Sequence, residues 1–307
     1  MSLSRQDLKI GTASLAACIL VFAAVPTFLK SFTHALDAWT VNTFRYGVAA
    51  LVWAPFVWRH RRETVAGTPS LWRAALIPAA ANLGAQTGWA WAPYYNDATV
   101  ISFVVRSSFA FTILFSFWML REERAVIRRP AFWMAFAGIV AGVVAMYWGG
   151  LELGNMTRIG VAILVADAAL WGLYGVCVRR YLGAYTARLA FGVISLYTAG
   201  ALLLVGLWLG DWSAVPHVAP AMWVHLVLSA LLGIAIGHVL LYRAIGLVGP
   251  IVTEGAFSLV PFAAAFVAIW TLGEQLGALQ WVGGVVLVVS SYLLVRTKAA
   301  AETGTAP

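Results

Sequence analysis

The chain has 307 residues, of which 62% are apolar and only 10% charged, with a formal net charge of +8. Soluble domains carry roughly 25% charged residues to solvate their surfaces, so a water-soluble fold is excluded and most of this surface must face lipid. A charge of +8 would point to nucleic acid in a soluble protein, so the location of the basic residues has to be settled first. Cys18 and Cys177 lie inside apolar runs and give neither a disulfide framework nor a metal-ligand spacing.

A bilayer core takes about 20 apolar residues per helix, at about 1.5 Å per residue. Ten such stretches occur in chain order: Ile10 to Leu29, Trp39 to Trp58, Leu71 to Trp91, Ala98 to Leu120, Phe132 to Trp148, Ile159 to Val178, Leu189 to Leu209, Met222 to Tyr242, Ile251 to Leu272 and Leu279 to Val295. The breaks between them are short and carry turn chemistry, as at Gly149-Gly150, Gly210-Asp211, Pro216, Pro220, Gly249-Pro250 and Gly273. No soluble domain fits between them. The first stretch follows Arg5 and Lys9 as a signal peptide would, but it is long for one and has an internal duplicate, so it is read as a retained helix.

Sorting Lys and Arg by the predicted loops places 16 of the 20 on one side, only Lys30 and Arg158 on the other, and Arg45 and Arg106 within spans. Cytoplasmic loops collect positive charge, so both termini are expected in the cytoplasm. A missed helix would scramble this alternation. The expected location is a multi-pass position in the cell's inner, cytoplasmic membrane, with no nucleic-acid partner.

The two halves match at a spacing of 149 residues: Gly11, Leu15, Ala17, Phe22, Lys30 and Phe32 meet Gly160, Leu164, Ala166, Trp171, Arg179 and Tyr181. Leu83, Gly84 and Gly88 meet Leu232, Gly233 and Gly237 at the same spacing, and Trp118-Met119-Leu120-Arg121-Glu122 echoes Trp270-Thr271-Leu272-Gly273-Glu274 at 152. The expected organisation is two five-helix repeats, 1–149 and 150–307. Because five is odd, the second copy enters the membrane from the opposite side. Such inverted repeats are common in secondary transporters, whose substrate site lies near the midplane between the halves.

The Thr43-Phe44-Arg45-Tyr46 entry to the second span, the Leu-x-x-Pro261 segment, the Leu-x-Glu endings at Glu122 and Glu274, and the Gly-rich fifth and tenth spans around Gly138, Gly142, Gly283 and Gly284 are similar to those of EamA-type proteins. These belong to the drug/metabolite transporter superfamily. The resemblance covers nearly the whole chain and implies an all-α polytopic membrane protein with ten transmembrane helices, which exports amino acids, other metabolites or drugs. The chain departs from that pattern in the fourth span, where Arg106-Ser107-Ser108-Phe109 replaces the family's small-residue and proline segment.

An ionisable residue at membrane depth costs about 2.5 to 3.5 kcal/mol, so each one needs a reason to be there. Counting along the helices puts Arg45, Arg106 and Asp167 roughly 10 to 14 Å below the predicted outer ends. Asp167, Trp171 and Tyr174 share one face of the sixth span, and Asn82, Gln86 and Trp89 share one face of the third. The expected substrate site is a central cavity with cationic Arg45 and Arg106, anionic Asp167, the amides of Asn82 and Gln86, and aromatic walls from Trp89, Trp171 and Tyr174. It suits an amino acid or a small organic anion with an apolar part, and Asp167 is a candidate carrier of a coupled proton. The competing reading is that Arg45 or Arg106 pairs with Asp167 only to hold helices together.

His238, Arg243, Glu254 and Pro261 form a gating or structural group: a salt bridge across the short connection between the eighth and ninth spans for Arg243 and Glu254, a hydrogen-bonding role for His238, and a kink at Pro261, with Pro26 a second kink. The aromatic residues at helix ends, such as Trp58, Trp148 and Trp208, read as an interfacial belt. Gly138 and Gly142 allow close helix packing.

An intramembrane enzyme would need a nucleophile or metal constellation, and the sequence has no H-E-x-x-H, no G-x-S-G with a partner His and no second midspan Asp beside Asp167. A channel would show a ring of like charges or a repeated filter. No nucleotide-binding loop is present. The expected function is a secondary transporter, not an enzyme, without cofactor or metal, working by alternating access as monomer or homodimer, with protons as a candidate coupling ion. The alternative is a proton-coupled carrier expelling drugs or cations.

Overall fold

The computed structural model describes residues 5–96, 98–148, 158–272 and 277–303, and these form an all-helical membrane protein with no strand among them. Ten helical rods follow one another in the described residues. The first two are Arg5–Phe32 and Ala38–His60, and the third joins Leu71–Ala74 to Leu76–Tyr95. The fourth runs from Ala98–Val104 through a 3-10 turn, Val105–Ser107, into Ser108–Met119. The fifth, sixth and seventh are Pro130–Tyr147, Arg158–Leu182 and Ala187–Leu209. The eighth passes from Pro220–Ser229 through a π-helical turn, Ala230–Ile236, into Gly237–Val248. The ninth passes from Pro250–Ala256 through a second 3-10 turn, Phe257–Leu259, into Val260–Leu272, and the tenth is Ala278–Thr303.

Seven of these rods are long and apolar enough to cross a membrane by composition alone. Of the other three, the ninth is apolar but shorter over Pro250–Phe266, and the second and third each carry a polar face, with Asn42, Thr43 and Arg45 on one and Asn82 and Gln86 on the other. In lipid such residues are tolerated only where they turn inward, and all five are buried.

Local signals start and stop the rods where they are needed. Asp37 caps the second, its carboxylate accepting from the amides of Trp39 at 2.8 Å and Thr40 at 3.1 Å. Pro130, Pro220 and Pro250 each open a helix at its first turn, where the missing N–H has no intrahelical partner to lose. Gly249, at φ +86°, makes the single-residue reversal between the eighth and ninth spans. That backbone is open to glycine without a Cβ penalty.

Contacts between the connections place the rod ends. Gly11 lies against Leu247 and Val248, Lys298 pairs with Glu123, and Thr68 bonds Tyr185, all at one end. At the other end the Asp37 carboxylate accepts from the Asp211 amide, Tyr94 donates to the Leu36 carbonyl, and Asn96 donates to that of Gly160. Gly11 and Gly160, equivalent in the two halves, therefore start their rods from opposite ends, and the basic loops gather at the first. Glu274 and Gly149-Gly150 lie outside the described residues.

Packing repeats the same symmetry. The first rod packs on the eighth as the sixth packs on the third, while the second packs on the seventh and the fifth on the tenth. Gly192 sits against Val57 and Gly206 against Thr43, and both pairs interchange on adding or subtracting 149. One apolar cluster centres on rods two, three, six, seven and eight, and a second on one, five, nine and ten. Large side chains such as Leu51, Leu204 and Trp208 are exposed, as a lipid-facing surface requires.

Candidate functional site

A cavity of about 90 Å³ lies where the first, second, third, fourth, sixth, eighth and ninth spans converge, between the two halves. Six of the eight predicted site residues line it: Arg45, Gln86, Trp89, Arg106, Trp171 and Tyr174. His238, Glu254 and Pro261 line it as well, together with Phe22 and Phe257, whose rings are 5.5 Å apart.

Arg45 is 1% exposed. Its Nε donates to Ser229 Oγ at 3.1 Å, the Ser229 hydroxyl in turn donates to the Leu226 carbonyl at 2.8 Å, and Nη1 has no partner. No described carboxylate pairs with it. A guanidinium has five donors in a planar fork, so most of this one's hydrogen-bonding capacity is unused within the protein.

The opposite wall is built by the two broken helices. Arg106 Nη1 donates to the Phe257 carbonyl at 2.5 Å, and the Ser108 hydroxyl donates to Glu254 Oε1. The 3-10 turns at Val105–Ser107 and Phe257–Leu259 stand 152 residues apart, so each half contributes the same break and the two breaks face each other. Discontinuous helices of this kind expose backbone polar groups at membrane depth only where protein or a wet cavity satisfies them.

His238 is held from two sides. Its Nδ1 lies 3.0 Å from the Gly233 carbonyl, which can only accept, so Nδ1 carries the proton and Nε2 accepts from the Gln86 amide at 3.2 Å. The π-turn Ala230–Ile236 frees that carbonyl by shifting the helical bonding register. The ring packs against Phe22, Trp171, Tyr174 and Phe191, with the nearest centroid, Phe191, at 5.0 Å.

Several placements correct the sequence reading. Asp167 is 1% exposed but does not line the cavity, and it forms no ion pair with Arg45 or Arg106. It packs against Gly88, while Trp171 and Tyr174 on the same helix turn to the cavity. Asn82 is fully buried in a structural network instead, bonded to Tyr46 at 2.9 Å and Thr198 at 3.0 Å, which ties spans two, three and seven. Arg243 and Glu254 form no salt bridge: Arg243 points outward and is exposed, whereas Glu254 faces the cavity. The acid of the cavity is therefore Glu254. Phe22 was missed as a wall residue, although its repeat partner Trp171 pointed to it.

The family model for EamA-like transporters matches the chain twice, over residues 9–148 and 158–296. The chain belongs to the EamA-like transporter family. Among curated relatives, the uncharacterized transporter YvbV of Bacillus subtilis (strain 168) is 27% identical over 194 residues, which is 63% of this chain. The chain spans 61% of that relative's length. A solved crystal structure superposes with a TM-score of 0.73 over 92% of this chain and 95% of its own, at 16% identity, a likeness of fold alone. The EamA-like chain thus places its cavity between the two segments that the family model matches.

Proposed function

We propose that this EamA-like transporter is a secondary carrier that moves a small carboxylate-bearing solute, an amino acid or organic anion, by alternating access between repeats 1–149 and 150–307. The observation that carries the reading is Arg45: a buried guanidinium on the cavity wall with no carboxylate partner and a free Nη1. A solute carboxylate supplies the missing partner, since charge-assisted bonds to a buried guanidinium are among the strongest a protein makes. Trp89, Trp171, Phe22 and Phe257 provide an apolar wall for the rest of the solute. Glu254 offers an acceptor for an ammonium group.

The membrane is the cell's inner membrane, with the basic end in the cytoplasm. Outward transport follows the family resemblance. A second reading, proton-coupled efflux of a drug or cation, draws on the same Glu254.

Uptake of a panel of amino acids, organic anions and lipophilic cations into proteoliposomes, with and without a pH gradient, tests these readings. Carboxylate-bearing solutes are expected to move, and Arg45→Gln is expected to slow them roughly tenfold or more, equivalent to about 1.4 kcal/mol of lost binding. Transport of cations alone, unaffected by Arg45→Gln, would replace the first reading by the second.

A further inference from the structure

Asp167 is the deeply buried acid that the cavity leaves unused. It lies on the seam where the sixth span, from the second repeat, packs on the third span, from the first. Neither carboxylate oxygen has a partner in good hydrogen-bond geometry, and the donors that act on the carboxyl, the Trp171 indole and the Trp89 backbone amide, are both uncharged. Gly88 packs against its carboxyl, and among the described residues no acid, histidine or cation acts on it. His238, Tyr242 and Glu254 face Trp171, Tyr174 and Ser108 instead.

Symmetry says what this position does in the other repeat. Subtracting 149 from Asp167 gives Cys18, which is likewise buried on the seam, between the first and eighth spans. There the thiol donates to the Gly237 carbonyl at 3.3 Å. The repeat partner of Gly237 is Gly88, the residue against which Asp167 packs. The place thus suits a neutral donor. An unpaired carboxylate in a dry seam has no donor to offer and costs several kcal/mol to bury.

We infer that Asp167 is a proton-binding site of the transport cycle, separate from the solute cavity and set on the seam between the repeats. It binds one proton as an O–H while the third and sixth spans are closed together. When they part, water reaches the carboxyl and takes the proton, leaving the carboxylate hydrated. Occupancy by the proton then favours the closed seam, and an imposed pH gradient biases the conformational exchange. This rests on the alternating-access reading above.

Two measurements on the full-length protein in liposomes decide it. In the first, infrared spectra across a pH series read protonated carboxyl groups directly, without any solute. A titrating carboxyl band that disappears in Asp167→Asn supports the site, and the absence of such a band overturns it. In the second, uptake of a radiolabelled amino-acid mixture is compared with and without a pH gradient. Asp167→Asn is expected to keep exchange at symmetric pH within about twofold of wild type while losing roughly tenfold stimulation by the gradient. Gradient stimulation that survives in Asp167→Asn overturns the proposal. Asp167→Cys, which copies the other repeat, replaces the asparagine variant should that fail to fold. If the wild type moves neither amino acids nor organic anions, the proposed function fails while the infrared result still decides the proton site.

Discussion

Arg106 donates to the carbonyl of Phe257 at 2.5 Å, so the broken turn of one repeat caps the broken turn of the other. Pro261 has no N–H to donate to that carbonyl, which accepts instead from the Val260 amide within the 3-10 turn, and the guanidinium adds a second, charge-assisted bond to it. The same contact joins the fourth and ninth spans beside Glu254, at the cavity wall. Arg106→Ala is expected to destabilise the folded protein by about 1.5–3 kcal/mol, the range for bonds to charged groups, with Arg106→Lys intermediate. Thermal unfolding in detergent, followed by tryptophan fluorescence, reads the order wild type, Lys, Ala. Equal midpoints for all three would show that the cap contributes nothing.

At the basic end, Lys298 Nζ lies 2.9 Å from Glu123 Oε1, with the two side chains 3% and 0% exposed. Their pairing ties the connection between the fourth and fifth spans to the end of the tenth, beside the Gly249 reversal. Breaking one partner of a buried pair strands the other, at a cost of about 3–5 kcal/mol, whereas replacing both can be close to neutral. Glu123→Gln and Lys298→Met are each expected to lower the unfolding midpoint, and the double variant to recover most of the loss. Additive losses in the double variant would refute the coupling.

Much of this architecture is written locally. The ten rods follow from apolar length, the ends from charge sorting, and the inverted halves from an offset of 149 that the Gly192–Val57 and Gly206–Thr43 contacts reproduce in space. Arg45 and Arg106 could be singled out because ionisable groups at membrane depth are conspicuous. Helix rotation is what a single sequence leaves open. Asp167, Trp171 and Tyr174 do share a face, yet that face meets the third span at one depth and the cavity at another. Glu254 and Arg243 are close in sequence, but the Gly249-Pro250 reversal sets the phase of the ninth span against the eighth and turns one inward and the other out. Pro261 marks the break in the ninth span, but the 3-10 turn at Val105–Ser107 carries no proline and its Arg106 finds its acceptor in the other half of the chain, so nothing within that segment announces its break.

At the end away from the basic loops, Asp37 serves two connections at once: it caps the second span and its Oδ2 accepts from the Asp211 amide at 2.8 Å. Asp37→Ala is expected to cost about 1–2 kcal/mol, toward the upper part of the range for a lost cap because a second connection is released with it. Asp211 in turn caps the Trp212–His217 turn, and hydrogen bonds from the Ser213 hydroxyl and amide hold its carboxyl below the usual carboxylate range. With the folded value depressed, this cap is intact above about pH 4 and is lost as pH falls through the lowered value. The carboxyl carbon shift of Asp211 in a pH titration by NMR measures it; a midpoint at or above that of an unstructured aspartate would contradict the cap.

Two glycines on neighbouring spans should respond to the same substitution with opposite signs. A Cβ on Gly172 would lie 2.8 Å from the Thr112 amide nitrogen, 2.9 Å from Phe111 Cβ and 3.0 Å from the Ser108 carbonyl. Two of these are backbone atoms of the fourth span and cannot rotate away, so Gly172→Ala has to push the fourth and sixth spans apart, at about 1–3 kcal/mol. The displaced residue is Ser108, the donor to Glu254, so the strain reaches the cavity and transport is expected to fall with stability. Around Gly200, on the seventh span, nothing lies within 4 Å of the place an added methyl would take, and Gly200→Ala is expected to stabilise by up to about 1 kcal/mol through helix propensity alone. Unfolding midpoints of the two variants, measured side by side, should move in opposite directions from wild type. A shift of the same sign in both would mean that the spacing of the fourth and sixth spans is not set by the glycine at 172.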